Sequence, residues 1–242
     1  MDVQKIINNN IYLKSVLTKN INLFNKLKNI LNLIKNSPKV KNPNSIGKKL
    51  KETNSEENLI SVIGELNVCA YFLKINIDEI DLGGRLLPNG KRVDFIIKWN
   101  SLTIFVEIKT PQVELNRLFG TTDLITIYDE ERLTNATLEV IKTRQLSEND
   151  PNLLVFYLGH STANKDDFEA AFEYLVTDAL SHKPLRCEGL FYRKKDNKFV
   201  CHLISGILAV RDYDYFISMK NPNVDPALNI EKFFDFLKSR SM

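Results

Sequence analysis

The stretch RVDFIIKWNSLTIFVEIK, residues 92–109, decides how this chain is read. Two runs rich in β-branched and aromatic residues, Arg92–Trp99 and Leu102–Lys109, are separated only by Asn100-Ser101, the pattern of a β-hairpin. With the loop centred on that pair, directly opposed residues have numbers summing to 201, and Asp94 faces Glu107. Their Cβ atoms then lie about 4.5–5.5 Å apart on one face of the sheet. Lys109, two residues beyond Glu107, points the same way. A loop of odd length would shift the register by one and separate them.

Two opposed carboxylates on otherwise apolar strands destabilise a sheet unless something neutralises them. A hard divalent cation does so: Mg2+ takes carboxylate oxygens and keeps waters that a phosphate can displace. Asp94 and Glu107 are therefore expected to be metal ligands, with the backbone carbonyl of Ile108 as a third donor. Lys109 would position or deprotonate an attacking water, or stabilise developing negative charge. Upstream, Glu65 sits in a helical pattern with Val62, Val68 and Cys69 at three- and four-residue spacing, an acid on an apolar face. Such an acid is seldom there for solubility. Gly64 beside it would let that helix approach the sheet closely.

In this order and context, Glu65, Asp94, Glu107 and Lys109 resemble the PD-(D/E)xK nuclease superfamily. The resemblance spans about 45 residues, although Val93 rather than proline precedes Asp94. It implies a restriction-endonuclease-like α/β fold, a mixed β-sheet core flanked by helices in αβββαβ order, with an N-terminal helical extension. It also implies a Mg2+- or Mn2+-dependent endonuclease acting on phosphodiester bonds, with DNA favoured over RNA. Gln145 is a further candidate, since some members add a glutamine from the next helix. A second acid-x-lysine triplet, Asp196-Asn197-Lys198, lies in a polar turn with no opposing acid and is read as incidental.

Charge supports a polyanionic partner. Residues 1–51 hold eleven lysines and the single acid Asp2, a net +10, while the remaining 191 residues, with 22 basic and 29 acidic side chains, stand at −7. A helix is expected from Lys5 to about Asn36, its apolar stripe formed by Leu17, Ile21, Phe24, Leu27, Leu31 and Ile34. Residues 37–55, polar and punctuated by two prolines and a glycine, read as a linker. Two units follow: a basic helical segment with linker over 1–52, and the nuclease-like domain over 53–242. Further helices are expected over about 56–72, 129–146, 166–182 and 230–237. Strands are expected over 85–87, 153–158, 188–193 and 199–208.

No apolar stretch approaches the roughly 18 residues of a membrane span, and no secretory signal is evident, so the cytoplasm is expected. Cys69, Cys187 and Cys201 form no CxxC pair, and His160, His182 and His202 are isolated. Gly159-His160-Ser161 lacks the surroundings of a nucleophile elbow. Cutting both strands of a duplex would need two sites, which favours a homodimer. Alternatives are a Holliday-junction resolvase or repair nuclease of the same fold, or a non-catalytic nucleic-acid-binding protein that kept it.

Overall fold

Asparagine sets the boundaries of the N-terminal helices. The computed structural model describes residues 3–84, 87, 92–110, 146–159, 165–166, 168, 192–193, 198–199, 203–211, 213–222 and 224–240. In place of one long helix there are three: α1 (Val3–Asn8), α2 (Ile11–Lys19) and α3 (Ile21–Asn36). The breaks fall at Asn10 and Asn20, whose side-chain oxygens accept the Leu13 and Leu23 N–H groups at 2.9 and 3.0 Å. Asparagine favours such caps because its carbonyl satisfies an amide that has no partner in the first turn. The interruption resets the helical phase. Leu17, Leu27, Leu31 and Ile34 of the expected stripe are buried, joined by Leu23 and Ile30, while Ile21 is 63% exposed.

The expected linker is also structured. Within it lie a short strand β1 (Val40–Lys41) and a helix α4 (Asn44–Glu52), whose Ile46 and Leu50, one turn apart, are buried. The side-chain nitrogen of Asn10 fastens the end of α4, donating to the carbonyls of Leu50, Lys51 and Thr53 at 3.2, 3.0 and 2.8 Å. Next comes α5 (Glu56–Lys74), capped by Ser55, whose hydroxyl accepts the Asn58 N–H. Both α3 and α4 pack on α5, so the N-terminal helices share one hydrophobic cluster with the rest of the molecule.

The strands are β2 (Glu79–Asp81), β3 (Phe95–Trp99), β4 (Leu102–Lys109), β5 (Asn152–Tyr157), β6 (Tyr192–Arg193), β7 (Lys198–Phe199), β8 (Ile204–Arg211) and β9 (Asp214–Lys220). Among the described residues, seven strands form one mixed sheet in the order β1-β2-β3-β4-β5-β8-β9, and β6 pairs with β7 separately. The parallel pairs are β1–β2, β4–β5 and β5–β8. A final helix, α6 (Glu231–Ser239), brings Phe233 and Phe236 against Trp99. The protein is thus a mixed α/β structure with helices against a seven-stranded sheet. Among the described residues, no helix is long and apolar enough to cross a membrane.

Two strand expectations are corrected, and one strand is new. Residues 199–208 do not form one strand: Phe199 closes the small β6–β7 ladder, and β8 begins at Ile204 to pair with β5. The β9 strand was not anticipated. The first strand of the hairpin starts at Phe95, not Arg92. The expected strand over 188–193 is described only at Tyr192–Arg193. The helix expected over 129–146, including Gln145 but not Leu146, lies outside the described residues. So do the helix over 166–182 apart from Asp166 and Phe168, the strand over 85–87 apart from Leu87, and His160, His182, His202, Cys187 and Cys201.

Candidate active site

The hairpin register fixes the site. Asn100 and Ser101 both have positive φ, 45° and 70°, as a two-residue type I′ turn requires. Trp99 then pairs with Leu102 and Phe95 with Val106, so opposed positions do sum to 201. On one face, Phe95, Ile97, Ile104, Val106 and Ile108 join the cluster that includes α5. Alternation sends Glu107 and Lys109 to the other face, beyond Phe105, which packs with Leu87 and Val93.

Asp94 stands just before β3, where the ladder ends. The Phe105 N–H bonds to the carbonyl of Pro151, so the β4 amides at 105 and 107 turn toward β5 and that of Ile108 turns toward β3. With no further β3 residue in ladder geometry, Ile108 N–H donates instead to Asp94 Oδ2 at 3.0 Å. The expected Asp94–Glu107 strand pair is therefore replaced by a side chain that caps the neighbouring strand. By the same alternation, the Ile108 carbonyl faces the Asp94 edge.

Glu65 approaches from α5 and is 5% exposed. Close approach of this helix depends on Gly64, where an added Cβ would lie 2.2 Å from Thr110 Oγ1 and 3.4 Å from Tyr157. The fifth member of the site was missed from sequence. Lys49 of α4 places its ammonium 2.7 Å from Glu65 Oε2 and 3.3 Å from Asp94 Oδ1. Its only local signal was the Ile46–Leu50 pair, too short to set α4 apart from a linker.

Glu107 is 4% exposed. Lys109 Nζ lies 3.6 Å from its Oε1, an ion pair beyond hydrogen-bonding length, and Glu107 Oε2 is buried with no hydrogen-bond partner. Burial first, then the negative charge of Asp94, pushes the Glu107 carboxyl up to about 9, and the attraction of Lys109 does not offset them. The same two causes push Glu65 up to about 7 against the pull of Lys49. Burial opposes the charge of Lys49, but Glu65 and Asp94 outweigh it and raise its pKa. Asp94 is thus the hub. It receives Lys49, binds the Ile108 amide, and acts electrostatically on both glutamates.

Of the four residues expected from sequence, Asp94 is joined to Glu65 through Lys49 and acts on Glu107, which pairs with Lys109. A cage of three carboxylates is not formed: among the described residues, no three His, Cys, Asp or Glu side chains converge as a metal-binding group. What is present suits Mg2+ in a different way. Mg2+ is commonly held through one or two carboxylates plus water, and Glu107 offers a bare buried oxygen beside Asp94.

The class of structure is mixed α/β, and comparison with known proteins adds little. No family model and no curated protein matches the sequence. Among solved structures, the chain shows similarity to Pyrococcus furiosus SfsA in complex with Ca2+, at 11% sequence identity and a TM-score of 0.23. The match covers 68% of this chain and 62% of that protein, less than two thirds of its length. A TM-score this low carries no argument about fold or function.

Proposed function

We propose that the protein is a metal-dependent nuclease of the PD-(D/E)xK type, with a restriction-endonuclease-like core, cleaving phosphodiester bonds in DNA in preference to RNA. The observation that carries this reading is the buried, unpartnered Oε2 of Glu107 beside Asp94. Ionising this carboxyl in the interior is costly, which is why its pKa is raised, and a bound cation would offset that cost. Asp94, Glu107 and the Ile108 carbonyl would hold Mg2+ or Mn2+, with Glu65 joining through water. A cation bound there would stabilise charge on the scissile phosphate and lower the pKa of a water.

The remaining chemistry belongs to the chain. Ile108 N–H fixes one oxygen of Asp94, so the carboxylate is pre-oriented before any ligand arrives. Lys109, its side chain 17% exposed, is anchored by Glu107 yet reaches the surface. It orients the attacking water or meets charge on the phosphate oxygen. Exposed lysines on the N-terminal helices, including Lys5, Lys14, Lys28, Lys35, Lys48 and Lys51, supply positive surface for a phosphate backbone. Restriction is the favoured role, junction resolution or repair the alternatives, and a homodimer would allow both strands to be cut.

One observation favours a second reading. Lys49 neutralises Glu65 and Asp94 without any metal, as a non-catalytic nucleic-acid-binding protein that kept this fold would require. Incubation of plasmid, branched DNA and RNA with Mg2+ or Mn2+ separates the two. Wild type should cut at least one substrate, and Glu107→Ala and Lys109→Ala should lose the activity by about a hundredfold or more. Wild type inert on all three, or variants as active as wild type, would sink the catalytic reading.

A further inference from the structure

Lys49 and Lys109 both pair with site carboxylates, but they occupy different kinds of position. Lys109 leaves one oxygen of its partner Glu107 bare. Lys49 instead lies on Asp94 Oδ1, the oxygen not taken by Ile108 N–H, and at the same time on Glu65 Oε2. The Asp94 oxygen that Ile108 leaves open, and so the readier ligand for a cation, is the one that Lys49 already holds. An ammonium and a divalent ion at touching distance on one oxygen repel strongly in a partly buried site.

The root of Lys49 is held as well. Its backbone carbonyl accepts the Thr53 hydroxyl at 3.0 Å, and the end of α4 is gripped by Asn10. The ammonium is therefore delivered by a fixed helix, not by a wandering arm. Its side chain is 39% exposed, so the flexible stem has solvent to swing into.

We propose that Lys49 is a built-in counter-ion seated on Asp94 and Glu65, and that a divalent cation held by Asp94, Glu107 and the Ile108 carbonyl would bind by displacing its ammonium from Asp94 Oδ1. This rests on the metal-dependent reading above. In the metal-free protein Lys49 keeps the two acids from repelling each other. A divalent ion held by Asp94 would release the Lys49 ammonium from Asp94 Oδ1 into the solvent beside it. Lys109 stays where it is. The apparent metal affinity is accordingly reduced by the fraction of molecules in which Lys49 is seated.

Mn2+ titration of the full chain, followed by the electron paramagnetic resonance of the free ion, tests this without reference to cleavage. Lys49→Gln and Lys49→Met should bind Mn2+ roughly tenfold more tightly than wild type. Lys109→Gln should show no such gain. Equal or weaker Mn2+ binding by the folded Lys49 variants, as judged by circular dichroism, would overturn the displacement. Wild type and variants all failing to bind Mn2+ would instead remove the metal-dependent reading itself, and this inference with it. Should the Lys49 variants not fold, lysine side-chain 15N NMR of wild type decides. A protected Lys49 ammonium signal should vanish on saturation with Mg2+, and its persistence in the metal-bound protein would refute the proposal.

Discussion

Raising the pH should weaken the metal-free protein, and Glu107 should be the main reason. Its carboxyl is pushed from the ordinary 4.5 up to about 9, by burial and then by Asp94. An acid whose folded pKa exceeds its unfolded one binds more protons folded than unfolded between the two values. Stability is then greatest below about pH 4.5 and is lost as pH climbs toward 9. Each unit crossed costs about 1.4 kcal/mol. Going from about pH 5 to pH 8 therefore removes at most ~4 kcal/mol, or roughly 10 °C in Tm for a chain of this size. At 4% exposure, solvent screening reduces this little. Glu65, pushed up to about 7, adds to the decline only below that pH. Thermal unfolding in EDTA across this range, wild type beside Glu107→Gln, isolates the effect. The variant keeps the shape and cannot ionise, so its Tm should fall far less. Parallel profiles for the two proteins would refute the assignment of a raised pKa to Glu107. Saturating Mg2+ should flatten the wild-type profile, since a bound cation favours the ionised carboxylate.

Other expectations concern the scaffold. Gly64→Ala should destabilise by about 1–2 kcal/mol, because the 2.2 Å clash with Thr110 Oγ1 outweighs the gain in helix propensity. In a Thr110→Ala background the same change should become neutral or stabilising in chemical denaturation, since the remaining contacts lie at 3.4 Å. Asn10→Ala should cost about 2–4 kcal/mol, measured the same way, by losing one helix cap and three carbonyl partners of α4. Lys48→Gln with Lys51→Gln should reduce the salt slope of DNA binding by about one for each lysine that meets a phosphate. An unchanged slope would mean these side chains are only solvated. Deleting residues 1–52 would not test the same point, because those helices complete the core and carry Lys49.

What was legible in the sequence followed from local rules with few alternatives. Asn100-Ser101 dictated a two-residue turn, and the turn dictated the register that places Glu107 and Lys109 on one face. Glu65 stood out because an acid on an apolar helix face must lose its water on folding, a cost that solubility does not require. Lys49 did not stand out among eleven lysines, because its role depends on where α4 is held, and α4 is held by Asn10 from another helix. The long N-terminal helix was overdrawn for a related reason. The apolar spacing survives Asn10 and Asn20, but their capping preference breaks the backbone. At β9, DYFISMK mixes charged ends with a short apolar middle, a weak signal that acquires meaning only from pairing with β8. Asp94 shows the opposite limit. The register was right, yet the ladder ended one residue short, and a side chain took the role of the backbone.

The grip of Asn10 on α4 has a practical reach well beyond the N-terminus. Asn10 touches none of the acids, yet it anchors the helix from which Lys49 extends, so the charge balance of the site is adjustable at a distance of 39 positions in sequence. A fusion partner or trimmed leader that disturbs the first helices would loosen Lys49 without altering a single acid. Under the displacement proposed for Lys49, such a change would raise the affinity for a divalent cation while leaving every proposed ligand in place.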